Sequence, residues 1–280
     1  MFVWLFLMSF GTMIMVYMYA NPEEDLFIFL RKGTGNLFLN PGMRVYTLFL
    51  AFVFIMNMFE TNLDLSFTRI LGLDFTHFFD IWSANPSIWI QKLRTPFFDG
   101  TFTLIYLLGI NTILFLTPYY FALRGNERMY ALTSTSIIMN YIYAMPFYIF
   151  FPVYVAGYTD PRIVHVMNTI FPKVMVEEYH QAGGINNCFP SLHASFSISM
   201  FFIMSYLRGH KFLKIFYGIL ALGISFSTLY LGIHWFLDIM GGLILAGVVT
   251  MTSTYLVDNK VLEKVLESNR PVQNRNYDRF

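Results

Sequence analysis

Charge is scarce in this chain. Only 12% of its 280 residues are Asp, Glu, Lys or Arg, against about 25% in a soluble domain, which needs charge to cover its surface. Hydrophobic residues make up 56% and mean hydropathy is +0.54, so lipid is the expected solvent. Cysteine is nearly missing too. Cys188 stands alone, which excludes an intrachain disulfide. The net charge is +1 and no block of basic residues occurs, so nothing argues for a nucleic-acid partner. The Asn-x-Ser at Asn85 has Pro86 in its middle and is no glycosylation acceptor. What is abundant is aromatic: 19% of the chain, with 32 Phe and 18 Tyr, as expected of lipid-facing helices with interfacial belts.

A helix needs roughly 20 mostly apolar residues to cross the hydrocarbon core. Seven stretches approach that mark: Met1–Ala20, Arg44–Phe59, Phe102–Leu123, Met129–Gly157, Pro190–Leu207, Phe212–Leu231 and His234–Val257. The fold class is therefore all-α and polytopic. It divides into an accessory N-terminal helix and connection (1–40), a six-helix membrane core (41–257) and a polar tail (258–280). Met1–Ala20 lacks a basic lead and a good cleavage site, so it reads as a retained helix rather than a secretory signal. Five of the 18 basic residues, Arg69, Lys92, Arg94, Arg162 and Lys173, fall on one side of these spans, and the other thirteen on the opposite side. The basic-rich side is cytoplasmic, which predicts N-terminus out and C-terminus in. Between the second and third spans, residues 60–101 hold apolar runs broken by charge. Leu71, Phe75, Phe78, Phe79 and Trp82 recur there at helical spacing, which predicts one or two helices lying in the interface.

Three ionisable residues sit where they are costly. A charge at a transmembrane helix centre costs about 2.5–3.5 kcal/mol on insertion scales, so such a residue is a functional candidate. Asp238 is the one acid inside an apolar segment, and His234 lies four residues earlier, a spacing that predicts one shared helix face. His193 starts the fifth span. Counting crossings brings all three to the outer membrane level. In Pro190-Ser191-Leu192-His193, a proline in the first helical turn leaves backbone N–H groups free to hold a phosphate. Ser191 either adds a hydroxyl donor or caps the helix. An imidazole oriented by a carboxylate attacks phosphorus, and a second histidine serves the leaving oxygen as acid and the acceptor as base. A zinc site of two His and one Asp is the metal alternative, but the spacing does not favour it.

These residues resemble the type-2 phosphatidate phosphatase superfamily. That family carries Pro-Ser-x-His, here Pro190–His193. It also carries Ser-Arg, five residues, His, three residues and Asp, here Ser227 to Asp238 with Thr228 in the arginine's place. The resemblance implies a six-helix core, a phosphohistidine on His234, Asp238 as its orienting acid and His193 as general acid, with no metal and no organic cofactor. The missing arginine, with Phe189–His193 and Ser-Thr-x-Tyr-Leu at Ser227–Leu231, is similar to the inositol phosphorylceramide synthase branch. That branch implies transfer of an inositol-phosphate-like headgroup from a phospholipid to a lipid alcohol on the extracytoplasmic face. Ser191, Ser227, Thr228, Tyr230 and Arg162 are the candidate phosphate-binding residues, although Ser227 and Thr228 can instead bond back to their own helix. A lipid phosphate phosphatase, with water as acceptor, is the alternative within the family. A non-enzymatic lipid transporter with a His/Asp proton relay is the alternative outside it.

Overall fold

The computed structural model describes residues 10–11, 25–177, 184–206 and 211–261. Most of the expected first span, Met1–Ala20, and most of the tail lie outside the described residues. Among the described residues all regular structure is helical, and one isolated bridge joins Val153 to Asn187.

Helix α1 (Leu26–Leu39) turns through 83° into α2 (Pro41–Leu71). Asn40 makes that corner. Its side chain accepts from the amides of Gly42 and Met43 at 2.9 and 3.3 Å, and Pro41 takes the first helical position, where its missing N–H is not needed. From sequence, the part of 1–40 that follows the first span is expected to be a connection. Gly33 and Gly35 weaken the local helix signal, yet α1 forms because it packs on Leu123 and Asn36 donates to the Ala122 carbonyl at 2.7 Å.

The stretch expected to lie in the interface resolves into the end of α2, helix α3 (Thr76–Ile90) and a 3-10 turn at Gln91–Leu93. Helix α3 exposes Phe78, Ile81, Trp82 and Trp89 and buries Phe79, Ser83, Ala84 and Ser87. The five residues picked out at helical spacing thus do not share a face. Leu71 ends α2, Phe75 precedes α3, and Phe78 and Phe79 point opposite ways.

Helix α4 (Pro96–Leu123) begins six residues before the predicted span because Thr95 caps it, accepting from the Phe98 amide at 3.2 Å. Helix α5 (Glu127–Phe150) follows. A long connection carries the short helices α6 (Ala156–Thr159) and α7 (Met167–Ile170). It leads to α8 (Leu192–Tyr206), α9 (Lys211–Tyr230) and α10 (Phe236–Asp258).

Helix α8 is the hub and packs against α10, α9 and α5. Its buried residues lie all around it, from Ala194 and Ser195 to Met204, as in a helix enclosed by others. Helix α5 buries Thr133, Ser134, Thr135, Ser136 and Asn140, and Asn140 meets Ser195 and Ser199 of α8. Those polar contacts join the two helices where lipid gives no hydrophobic drive to do so.

The outer faces are inverted relative to a soluble protein. Phe212, Ile215, Ile219 and Leu222 are exposed along α9, and Ile244, Val248, Met251 and Tyr255 along α10. Each set recurs every three or four residues, one continuous apolar stripe facing outward. Three described helices, α4, α9 and α10, are long and apolar enough to cross a bilayer, and the bent α1–α2 pair makes a fourth if it is one span. Helix α5 is long enough but carries its polar residues inward. Helix α8 is apolar and has 15 residues. The protein is an all-helical integral membrane protein.

Candidate active site

The C-terminus of α9 determines where the first site residue goes. The amides of Ile233 and Gly232 donate to the carbonyls of Thr228 and Leu229 at 3.0 and 3.1 Å, the paired bonds of a Schellman stop. Gly232 has φ +70°, and a Cβ there would lie 2.5 Å from the Val164 carbonyl oxygen, so both conformation and space require glycine. The His234 amide also donates to the Thr228 carbonyl, at 3.3 Å. His234 therefore sits in a fixed turn, two residues before α10 begins. This corrects the expectation that His234 and Asp238 share one helix face.

They meet by another route. Asp238 is the third residue of α10 and reaches back to its start. Its Oδ2 accepts from the Trp235 amide at 2.8 Å and lies 3.1 Å from His234 Nδ1. One carboxylate oxygen thus caps a helix and orients an imidazole. Both residues are buried. The Trp235 indole N–H donates to the Tyr154 carbonyl at 2.9 Å, which pins this turn to the segment after α5.

The Pro-Ser-x-His segment is docked on the same place. The Ser191 amide donates to the Asp238 carbonyl at 3.0 Å. Gly242 permits that approach, since a Cβ on it would stand 2.7 Å from the Ser191 carbonyl oxygen. Ser191 Oγ accepts from the Ala194 amide at 3.3 Å, so Ser191 is the cap of α8. Pro190 lies before that cap and not in the first turn, and its carbonyl accepts from the Tyr148 hydroxyl at 3.2 Å. The amides of Leu192 and His193 have no acceptor among the described residues, which leaves two helix-start donors of the kind that can hold an anion.

His193 Nδ1 lies 3.5 Å from His234 Nε2. The His193 ring also lies against Tyr106, with centroids 4.6 Å apart and planes tilted at 31°. Tyr106, buried on α4, went unnoticed in the sequence. Nothing local distinguishes it from the other 17 of the chain's 18 tyrosines. Gln91 was also missed. Its side-chain amide donates to the carbonyls of Val164 and Tyr230 at 2.7 and 2.9 Å and accepts from the Val164 amide at 2.8 Å. It ties the turn after α3 to the end of α9.

The other candidates are placed differently. The hydroxyls of Ser227 and Thr228 donate to the carbonyls of Gly223 and Ser225 at 2.7 and 2.9 Å, the back-bonding alternative. The Thr228 carbonyl accepts from the amides of Ile233 and His234. Tyr230 donates to Asp99 at 2.6 Å, and Asp99 pairs with Arg94 at 2.9 Å. Arg162 pairs with Asp160 at 2.8 Å and with Asp80 at 2.6 Å. Burial works to raise the Asp160 carboxyl, but hydrogen bonds from the Arg162 side chain and backbone outweigh it and hold the carboxyl below the usual carboxylate range. The Arg162 charge is thus already spent within the protein.

One further group touches the triad. Donor atoms of Cys188, His234 and Asp238 lie within 4.8 Å of one another. The Cys188 thiol donates to the Ile233 carbonyl at 3.6 Å, and Asp238 Oδ1 has no hydrogen-bond partner among the described residues.

The all-helical membrane fold thus gathers two histidines and an oriented aspartate beside the start of α8, and the likenesses that follow support an enzyme of the phosphatase type. Residues 131–262 match the model of the PAP2 superfamily, a stretch that carries every motif residue named above. Among solved structures, that of Aquifex aeolicus LpxE is similar in fold, with a TM-score of 0.50 and 18% identity over 62% of this chain and 94% of that one. Comparison with curated proteins gives no match.

Proposed function

We propose that this enzyme is a lipid phosphotransferase working through a phosphohistidine on His234. The observation that carries the proposal is the line Asp238 Oδ2, His234 Nδ1 and Nε2, His193 Nδ1, at 3.1 and 3.5 Å. With Asp238 accepting at Nδ1, the free electron pair of His234 is on Nε2, facing His193. In the first half-reaction Nε2 attacks phosphorus of a phospholipid diester. The N–P bond forms, the P–O bond to the lipid alcohol breaks, and protonated His193 gives its proton to the departing oxygen. In the second, His193 takes the proton of an acceptor hydroxyl, the new O–P bond forms and the N–P bond breaks. Acid–base help of this kind is worth about 10²–10⁴ in rate. The amides of Leu192 and His193 hold the non-bridging oxygens.

A diester donor, and so headgroup transfer rather than simple phosphatase work, is favoured by charge, while an inositol-phosphate-like cargo and a lipid alcohol acceptor are what the resemblance at Phe189–His193 and Ser227–Leu231 implies. A phosphate monoester carries nearly two negative charges and rewards several Arg or Lys contacts, whereas a diester carries one. Here Arg94, Arg162 and Lys173 are each paired with a carboxylate, and Thr228 offers no cation. The basic residues beyond the opposite ends of the helices favour an extracytoplasmic site. The test is purified protein in detergent with phosphatidylinositol and a diacylglycerol or ceramide acceptor, and separately with phosphatidate. Phosphorus arriving on the acceptor, and lost in His234→Ala, is the expected result. Release of free phosphate from phosphatidate with no transfer would make the enzyme a phosphatase instead.

A further inference from the structure

Cys188 has no part in the proposed chemistry, yet it is buried against it. Its sulfur, a ring nitrogen of His234 and a carboxylate oxygen of Asp238 lie within 4.8 Å of one another. Two observations make this more than a nearby cysteine. Asp238 Oδ1 is fully buried with no hydrogen-bond partner among the described residues, a rare condition for a carboxylate oxygen. The three donors also form a thiol, imidazole and carboxylate set, the chemistry that selects zinc-like thiophilic cations over magnesium or calcium. Bonds of about 2.0–2.3 Å to such a cation place donors about 3.5 Å apart, which a small inward shift from the present spacing reaches.

We propose that Cys188, His234 and Asp238 form an inhibitory site for a thiophilic divalent cation. The inhibitory part rests on His234 being the nucleophile. The cation displaces the Cys188 thiol proton to solvent, so a sulfur–metal bond replaces the S–H bond now aimed at the Ile233 carbonyl. It fills the open valence of Asp238 Oδ1 and engages His234. The carboxylate that would stabilise the His234 imidazolium is then neutralised by metal, and the imidazole loses nucleophilicity. Oxidation states do not change.

The test uses full-length protein in detergent with cadmium chloride as probe. Cys188 is the chain's single cysteine, so an ultraviolet cadmium–thiolate band can come from no other residue. The wild type is expected to show that band, and Cys188→Ala to lack it. In His234→Ala and Asp238→Asn the band is expected to need more than about tenfold higher cadmium, as loss of a ligand requires. In a turnover assay, with each variant normalised to its own metal-free rate, cadmium is expected to inhibit reversibly by chelator. Cys188→Ala should shift half-inhibition by more than about tenfold, and magnesium should not inhibit. Absence of the band in the wild type, or a band indifferent to His234 and Asp238, overturns the site. A band accompanied by unchanged or increased turnover keeps the ligands but overturns inhibition, and with it the nucleophile assignment of His234.

Discussion

Asp238 Oδ2 stands 2.8 Å from the Trp235 amide and 3.1 Å from His234 Nδ1, so one atom holds the start of α10 and the tautomer of the proposed nucleophile. Capping and charge separate by mutation. Asp238→Asn keeps an oxygen for both the Trp235 amide and His234 Nδ1 but removes the negative charge that stabilises the His234 imidazolium. It should fold with a nearly unchanged thermal midpoint and lose about 10³–10⁴ in turnover. Asp238→Ala should lose turnover and in addition about 1 kcal/mol of stability with the cap. Equal stability in the two variants would show that the capping contact contributes nothing.

Gly232 is the glycine on which His234 depends. Gly232→Ala adds a Cβ 2.5 Å from the Val164 oxygen at a left-handed φ, which should cost roughly 1–3 kcal/mol and displace His234. Gly247→Ala, on α10 where a Cβ meets nothing, is the matched control and should be neutral or slightly stabilising. A thermal midpoint lowered in both alike would refute the turn argument.

Tyr106 lies against the His193 ring and is expected to position that imidazole. Tyr106→Phe preserves the ring and should retain most activity. Tyr106→Ala frees the imidazole and should lower turnover by about tenfold or more, as misplacement of a reacting group does, and should broaden or shift the limb of the pH–rate profile that reports His193. A loss of turnover with an unchanged pH profile would mean a packing role only.

Acid should weaken the link between α3 and the loop before α7. The Asp160 carboxyl is held below its ordinary value by Arg162, so its folded pKa is the lower of the two. Its stabilising contribution is complete above the unfolded value, about 3.9, and is lost as pH falls through that value toward the folded one. Asp160→Asn should therefore lower the midpoint at neutral pH and flatten the stability profile below about pH 4. A wild-type profile matching that of Asp160→Asn would contradict the pairing.

Much of the fold was legible because lipid makes its demands by composition. The boundaries of α9 and α10 lie within a few residues of the apolar runs Phe212–Leu231 and His234–Val257. What escaped was set by tertiary contact. Helix α1 persists around Gly33 because Leu123 covers it, and the polar inner face of α5 is accounted for in part by Asn140 and Ser136 meeting α8. At the site, motif spacing named His193, His234 and Asp238, and the structure brings them together. The four-residue spacing suggested the right neighbours through the wrong geometry, since a capping carboxylate and a helical i, i+4 pair look alike in sequence. Tyr106 reaches the site, and Gln91 the end of α9, from elements remote in the chain, and no local pattern marks such residues. Arg162 resembled a free cation only until Asp80 and Asp160 were seen beside it.

The most direct measurement is to trap the covalent intermediate. Purified enzyme would be mixed with a labelled phospholipid donor and no acceptor, quenched under alkaline conditions that preserve phosphohistidine, digested and mapped by mass spectrometry. The account predicts an acid-labile phosphorus adduct on His234 that disappears when acceptor is added and is absent from His234→Ala. An adduct on any other residue, or turnover that survives in His234→Ala, would contradict it.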